Sequence, residues 1–172
     1  MNALVGGLLA VIAVLVAALT GILLTRRPPR RLPVPDHARR ILVPFEGQLD
    51  QTVLDAAIRI ARAEDAVLVP AYLLIVPLSY AEDSPQRDEV QVAMPLLEAV
   101  ELAALRAGVP VDARIEKGRT LTHALKRLWE VEPFDRIVAP APVEGSPGFT
   151  EKGLAWLLTH APTETVVLKP AA

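Results

Sequence analysis

The chain has 172 residues, enough for one ordinary domain and an additional segment, and 52% of them are hydrophobic. The formal net charge is −2, but residues 41–172 hold 12 basic and 19 acidic side chains and therefore carry −7. An acidic domain argues against nucleic-acid binding, and the lack of cysteine excludes disulfides, thiolate metal sites and Cys nucleophiles.

The first 25 residues, "MNALVGGLLAVIAVLVAALTGILLT", contain no charged side chain. Residues 3–24 would form a helix about 33 Å long, enough to cross a hydrocarbon core about 30 Å thick. A cleaved signal peptide carries positive charge before a shorter apolar stretch, whereas here the charge follows it. A buried helix would show a polar face, and none is visible. We therefore predict a transmembrane helix over residues 1–25, in contact with the lipid bilayer through residues 3–24.

A basic, proline-rich segment follows the predicted helix. The arginines lie just after the apolar stretch and nothing basic precedes it, so the positive-inside bias places the C-terminal part in the cytoplasm. The sequence thus predicts a single-pass protein of the cell membrane with its N-terminus outside. Residues 26–38, "RRPPRRLPVPDHA", predict an extended and fairly stiff spacer because proline fixes φ. Anionic lipid headgroups would attract its arginines, Arg26, Arg27, Arg30 and Arg31.

The first half of residues 39–172 alternates between short apolar runs and amphipathic stretches. "RILVPF" predicts a buried strand, and "DQTVLDAAIRIARAE" predicts a helix capped by Asp50. "AVLVPAYLLIV" predicts a second strand, although Pro70 is unusual inside one. The polar run "YAEDSPQRDE" predicts a loop, and "VQVAMPLLEAVELAALRAG" a helix that ends at Gly108, with Pro95 in its first turns or kinking it.

The second half continues the alternation. "VPVDARIEKG", "DRIVAP" and "ETVVLKP" predict the remaining three strands. "TLTHALKRLWEVE" and "TEKGLAWLLTHA" predict two helices with Thr120 and Thr150 as caps. The strands are too apolar to alternate fully, which indicates an open, mostly parallel sheet with helices on both faces. The predicted fold class is therefore α/β, preceded by one transmembrane helix.

With these elements in place, the chain from about Arg39 to Pro170 resembles the universal stress protein family. "ILVPFEG" resembles the family's first strand and turn, and "VDARIEKGRTLTHAL" its third strand, glycine turn and third helix. "FDRIVAPAP" and "LLTHAPTETVVLKP" resemble its fourth strand and its final helix, His-Ala-Pro turn and strand. The resemblance implies a five-stranded parallel sheet of order 3-2-1-4-5, and often a homodimer built through the last strand.

The resemblance also implies a candidate ATP site. Gly145 and Gly148 supply a Gly-x-x-Gly motif, and glycines let backbone N–H groups approach phosphates. Glu46 stands where the family has an aspartate that contacts adenosine, and Pro44 precedes it in the same strand. The sequence departs from the pattern elsewhere: Glu151-Lys152 replaces a Gly-Ser pair, and Pro140-Ala141-Pro142 replaces Gly-Ser after the fourth strand. The candidate nucleotide positions are Pro44, Glu46, Gly145 and Gly148.

Other chemistry has little support. Ser146 and His160 lack an acidic partner and a nucleophile turn, and the three histidines show no metal-ligand spacing. His123 is interpreted as a helix-surface residue and His160 as a helix-end residue that suits the helix dipole. Trp129 and Trp156 are interpreted as core or partial-core residues, with an exposed protein-binding surface as the alternative. The remaining carboxylates are interpreted as solvated: Glu98, Glu101, Asp112 and Glu116.

Two functional hypotheses follow. The first is a membrane-anchored cytoplasmic regulatory or interaction module with a degenerate nucleotide site, no enzymatic activity and no bound cofactor. Its partner would be a second copy of the chain or a membrane protein. The alternative is a membrane-tethered stress sensor that binds ATP or another adenine nucleotide.

Overall fold

The computed structural model describes residues 38–143 and 149–169. The predicted transmembrane helix, nearly all of the spacer, and the candidate positions Gly145 and Gly148 lie outside these residues. Within the two described ranges, no helix has both the length and the apolar character needed to cross a bilayer.

The described residues form nine elements in strict alternation, as the sequence predicts. The strands are β1 Arg40–Phe45, β2 Val67–Ile75, β3 Arg114–Gly118, β4 Arg136–Pro140 and β5 Glu164–Leu168. The helices are α1 Gln51–Ala63, α2 Arg87–Arg106, α3 Leu121–Val131 and α4 Glu151–His160.

All neighbouring strands are parallel, and their order is β3-β2-β1-β4-β5. This confirms the predicted sheet. Helices cover both faces: α1 and α2 pack on one face through residues such as Val53 and Val100. Helices α3 and α4 pack on the other face through residues such as Leu125 and Leu157. Consecutive residues of β1 alternate between the two cores, with Ile41 on the first and Leu42 on the second, as the period of a strand requires.

Helix boundaries follow local signals. The Asp50 carboxylate accepts hydrogen bonds from the backbone N–H groups of Thr52 and Val53, which caps α1 as predicted. Thr120 and Thr150 cap α3 and α4 in the same way, through the N–H groups of His123 and Gly153. All three predicted caps are therefore confirmed.

Two boundaries differ from the prediction. Helix α2 begins at Arg87, so the last part of the predicted loop is helical; acidic Asp88 and Glu89 in its first turn suit the positive end of the helix dipole. Pro95 lies inside this helix, as its ninth residue, and the predicted alternative that it kinks the helix stays a prediction. Strand β3 begins only at Arg114, after a single bridge between Val111 and Leu68.

Candidate functional site

The sheet opens into a crevice between β1 and β4. Strand β1 pairs with β2 over its whole length, Arg40 to Phe45, but with β4 only at Ile41 and Leu42. The two strands therefore separate toward their carboxyl ends. The strand order also reverses at this point, and open α/β sheets bind ligands in such crevices.

Glu46 follows β1 directly and stands at this crevice. The side chain is half-buried, and burial raises the pKa of its carboxyl group. Within residues 38–143 and 149–169, no group forms a hydrogen bond or an ion pair with the Glu46 carboxylate. Partial burial of a carboxylate without a partner costs free energy. A hydrogen-bond donor on a ligand would offset this cost.

A tight turn begins at Glu46. The backbone N–H of Gln48 donates to the Glu46 carbonyl at 2.8 Å, and Gly47 has φ +69°, a conformation that glycine adopts without steric cost. The turn lies beside Tyr72, whose pKa is raised by burial, with a smaller opposing effect from the Gly47 backbone. Tyr72 packs edge-to-face on Phe45, with ring centroids 5.6 Å apart. The sequence alone does not reveal the packing of Tyr72 on Phe45, because this contact joins two strands.

Pro44 has a different environment from Glu46. It is buried inside β1, opposite Ala71 of β2. The two other predicted nucleotide positions, Gly145 and Gly148, belong to residues that the structure does not describe. Of the two candidates that the structure describes, Pro44 and Glu46, only Glu46 has a polar side-chain group, its carboxylate, that a ligand could contact.

The β4 side of the crevice offers few hydrogen-bond donors. Pro140 and Pro142 have no backbone N–H, and the N–H of Ala141 already donates to the Leu168 carbonyl of β5 at 2.7 Å. The segment that would face a phosphate after the fourth strand therefore has no free backbone donor at any of its three residues.

At the N-terminus of α4, one of the backbone N–H groups already has a hydrogen-bond partner within the chain. The Thr150 hydroxyl accepts from the Gly153 N–H at 3.1 Å, and its role as a cap leaves it less available to an anion. The exposed carboxylate of Glu151 occupies the first turn of the helix. A negative side chain there interacts with the helix dipole that would otherwise attract a phosphate.

A second cavity of about 560 Å³ lies beside the edge strand β3. The loop carboxylate of Glu82 is 3.3 Å from an Arg127 nitrogen and 3.5 Å from His123 Nδ1. Lys117 Nζ donates to the Ser84 carbonyl of the same loop at 3.0 Å. Basic and acidic groups balance here, so the simplest role of this cluster is to hold the loop against β3. No group of three metal-ligating residues occurs in the described ranges.

Two carboxylates predicted to be solvated are in fact paired. Glu116 lies 3.0 Å from Arg127 and its side chain is only 20% exposed. Asp112 contacts the guanidinium groups of Arg40 and Arg114, the latter at 2.8 Å. The prediction was wrong mainly because Arg127 and Arg40 come from another helix and another strand, about which the periodicity of one element carries no information. Arg114, by contrast, lies only two residues from Asp112.

An aromatic surface formed by α3 and α4 was also missed. Trp129 and Trp156 are partly buried, as predicted, but their rings are also stacked, with centroids 5.6 Å apart and an interplanar angle of 12°. The His160 ring stacks on Trp156 at 4.7 Å. Spacing of four residues within one helix could have predicted the second pair, but not the first. We call Trp129, Trp156 and His160 the aromatic stack.

The Glu46 environment leads to a stability prediction. Burial raises its folded pKa above the unfolded value of about 4.5, so Glu46 contributes stability below that pH and loses it as pH rises through the folded pKa. Glu46→Gln should therefore raise the free energy of unfolding at pH 7, by less than about 1 kcal/mol because solvent screens the half-exposed group. The gain should vanish near pH 4. Urea denaturation of the two proteins at both pH values measures it.

Glu98→Gln, on the exposed face of α2, is the matched control and should change stability by less than about 0.5 kcal/mol. Destabilisation by Glu46→Gln at pH 7 would mean that the carboxylate has a favourable partner in the folded protein.

Comparison with known proteins gives matches among solved structures alone. A universal stress protein family structure from Burkholderia pseudomallei is 24% identical, with a TM-score of 0.58 over 80% of this chain and 100% of that one. A universal stress protein in complex with cAMP is 18% identical, with a TM-score of 0.57 over 78% and 98%. An Arabidopsis thaliana family protein with AMP bound is 17% identical, with a TM-score of 0.50 over 78% and 93%. No protein-family model and no curated protein matches the chain. The described domain thus has the universal stress protein fold.

Proposed function

We propose that this chain is a regulatory module of the universal stress protein type, which acts by contact with a partner and whose crevice does not hold a nucleoside triphosphate. The observation that carries the proposal is the end of β4. Pro140 and Pro142 have no N–H, and the Ala141 N–H is used by Leu168. A triphosphate carries several negative charges and needs many donors, so a wall without donors disfavours it.

The module is proposed to be non-enzymatic. Catalysis would need an acid, a base or a nucleophile arranged around the crevice. Glu46 has no described acid–base companion there. The described histidines are used elsewhere: His123 contacts Glu82 and accepts from the Arg119 N–H, and His160 stacks on Trp156.

We also propose that residues 3–24 tether this module to the membrane, with the domain in the cytoplasm and Arg26, Arg27, Arg30 and Arg31 at the headgroups. The support is the charge-free stretch followed by the arginines. The described chain begins at Ala38, just before the amino end of β1, whereas the crevice lies at the carboxyl ends of the strands. The partner of the tethered module would be a second copy of the chain or a membrane protein.

An adenine-nucleotide sensor is the second candidate. It is favoured by the half-buried carboxylate of Glu46, which has no partner in residues 38–143 and 149–169, since carboxylates accept hydrogen bonds from ribose hydroxyls. Two solved structures of the same fold have cAMP or AMP bound. A site that binds through the ribose and few phosphates would fit the crevice better than one built for ATP.

Calorimetric titration of the full-length chain in mild detergent separates the candidates. We expect no saturable heat from ATP with Mg²⁺ up to about 1 mM, which corresponds to a binding free energy weaker than about −4 kcal/mol. AMP, cAMP and adenosine are titrated in parallel, and circular dichroism shows that the protein is folded. The same samples are assayed for phosphate release.

Glu46→Ala is the test variant and Glu98→Ala, on exposed α2, the matched control. Micromolar ATP binding lost in Glu46→Ala and kept in Glu98→Ala would overturn the first proposal. AMP or adenosine binding with that pattern would select the sensor. Phosphate release that Glu46→Ala removes would make the chain an enzyme.

A further inference from the structure

The aromatic stack forms a rigid surface. Trp156 is the shared member, stacked on Trp129 of the neighbouring helix and on His160 of its own helix. The His160 ring is fixed because its Nδ1 lies 2.9 Å from the Trp156 carbonyl, and a carbonyl only accepts, so Nδ1 donates. These side chains therefore lose little conformational freedom when something binds to them.

The members of the aromatic stack are partly buried and partly accessible to solvent. Both indoles lie against the apolar core formed by α3, α4 and the sheet, but both remain partly accessible, and His160 is exposed. Grooves lined with partly exposed aromatic rings bind proline-rich segments in the polyproline II conformation, because proline rings pack flat on indole faces.

The described chain begins on the face of the sheet that carries the aromatic stack. Ala38, the first described residue, packs against the same apolar core as Trp129 and Trp156. Two residues, Asp36 and His37, separate it from residues 32–35, Leu-Pro-Val-Pro. At about 3.1 Å per residue, residues 32–37 reach about 19 Å in the polyproline II conformation. A proline-rich segment of this length is therefore attached to the domain on the face of the sheet that carries the aromatic stack.

We propose that residues 32–35 of this chain dock on the aromatic stack. Intramolecular attachment supplies a high effective concentration, and a segment already stiffened by Pro33 and Pro35 loses little entropy on docking. The docked segment converts the end of the spacer into part of the domain surface. This inference concerns the spacer and does not depend on whether the crevice binds a nucleotide.

Tryptophan fluorescence tests the proposal directly, because the chain contains two tryptophans and both belong to the aromatic stack. The full-length protein is compared with the double variant Pro33→Gly/Pro35→Gly in the same detergent. Loss of docking should shift the emission maximum to longer wavelength and raise the acrylamide quenching constant about twofold, since the indoles become more accessible. The matched control, Pro28→Gly/Pro29→Gly, removes two prolines farther from the domain and should leave both readings unchanged.

Three results would overturn the proposal. Unchanged emission and quenching in Pro33→Gly/Pro35→Gly would mean that the segment does not cover the stack. A wild-type emission maximum that depends on protein concentration would assign the surface to a second copy. Quenching of the wild type by brominated phosphatidylcholine in vesicles would assign it to the lipid surface. Circular dichroism of each variant verifies that the domain remains folded.

Discussion

Gly118→Ala is expected to lower the free energy of unfolding by about 2–3 kcal/mol, at the upper end of the range for overpacked sites. A Cβ atom at position 118 would lie 2.6 Å from the backbone nitrogen of Ala124 and 2.9 Å from its Cα. Ala124 is fully buried in α3, so this backbone has no open space to move into. The Gly118 carbonyl also accepts from the Val76 N–H at 2.9 Å, which holds the ends of β3 and β2 together. Relief of the clash must therefore displace either α3 or the edge of the sheet.

Urea denaturation of the full-length chain measures this loss, and Gly153→Ala is the matched control. A Cβ at position 153 would meet the Thr150 hydroxyl oxygen at 3.4 Å, an ordinary contact. Because Gly153 is helical, alanine there should be neutral or stabilising by up to about 1 kcal/mol. Equal stability of the two variants would contradict the close approach of β3 and α3.

Local signals explain why most of the fold could be predicted. Strand runs such as "RILVPF" and the caps Asp50 and Thr120 depend on residues within a few positions of one another. The start of α2 was missed because its first turn is polar and Gln86 makes no side-chain capping bond, so the pattern resembles a loop. The strand order came from the resemblance to a known family, since no local pattern specifies which strands are neighbours.

The candidate site was less accessible to sequence reasoning. Glu46 was singled out through the resemblance to a known family, and the structure places it directly after the buried strand β1. That none of the described residues pairs with its carboxylate could not be predicted, because this depends on every element that surrounds it. Asp112 and Arg40 are separated by 72 residues, and Trp129 and Trp156 come from different helices. Such pairs arise from the packing of the sheet and helices, which the periodicity of one element does not reveal.

Arg40→Met is expected to destabilise the domain by about 2 kcal/mol at pH 7, because it leaves two carboxylates with one cation. The Arg40 guanidinium contacts Asp112 and lies 3.2 Å from Glu132, and Arg114 contacts both at 2.8 and 2.9 Å. The Arg40 and Glu132 side chains are only 20% and 17% exposed, so solvent cannot replace the lost partner fully. Fully buried pairs lose about 3–5 kcal/mol in this way. We expect less here, since Asp112 is 34% exposed and Arg40 Nε is already buried without a partner among the described groups.

The pH dependence distinguishes loss of this ion pair from simple loss of packing. Burial by itself raises the pKa of Asp112, but hydrogen bonds from Arg114 and Arg40 outweigh it and hold the pKa below its usual value of 3.8. Asp112 therefore contributes stability above about pH 4, and this contribution is lost as pH falls through the folded pKa. The difference between wild type and Arg40→Met should shrink when urea denaturation is repeated below pH 4. Lys126→Met, which removes a 3.8 Å pair with Glu130 between side chains 63% and 57% exposed, should cost less than about 0.5 kcal/mol at pH 7. If the loss of stability in Arg40→Met persists unchanged in acid, its cause is the packing of the aliphatic part of the side chain. If the loss is no larger than that of Lys126→Met, the ion-pair network at the amino end of the sheet adds little to stability.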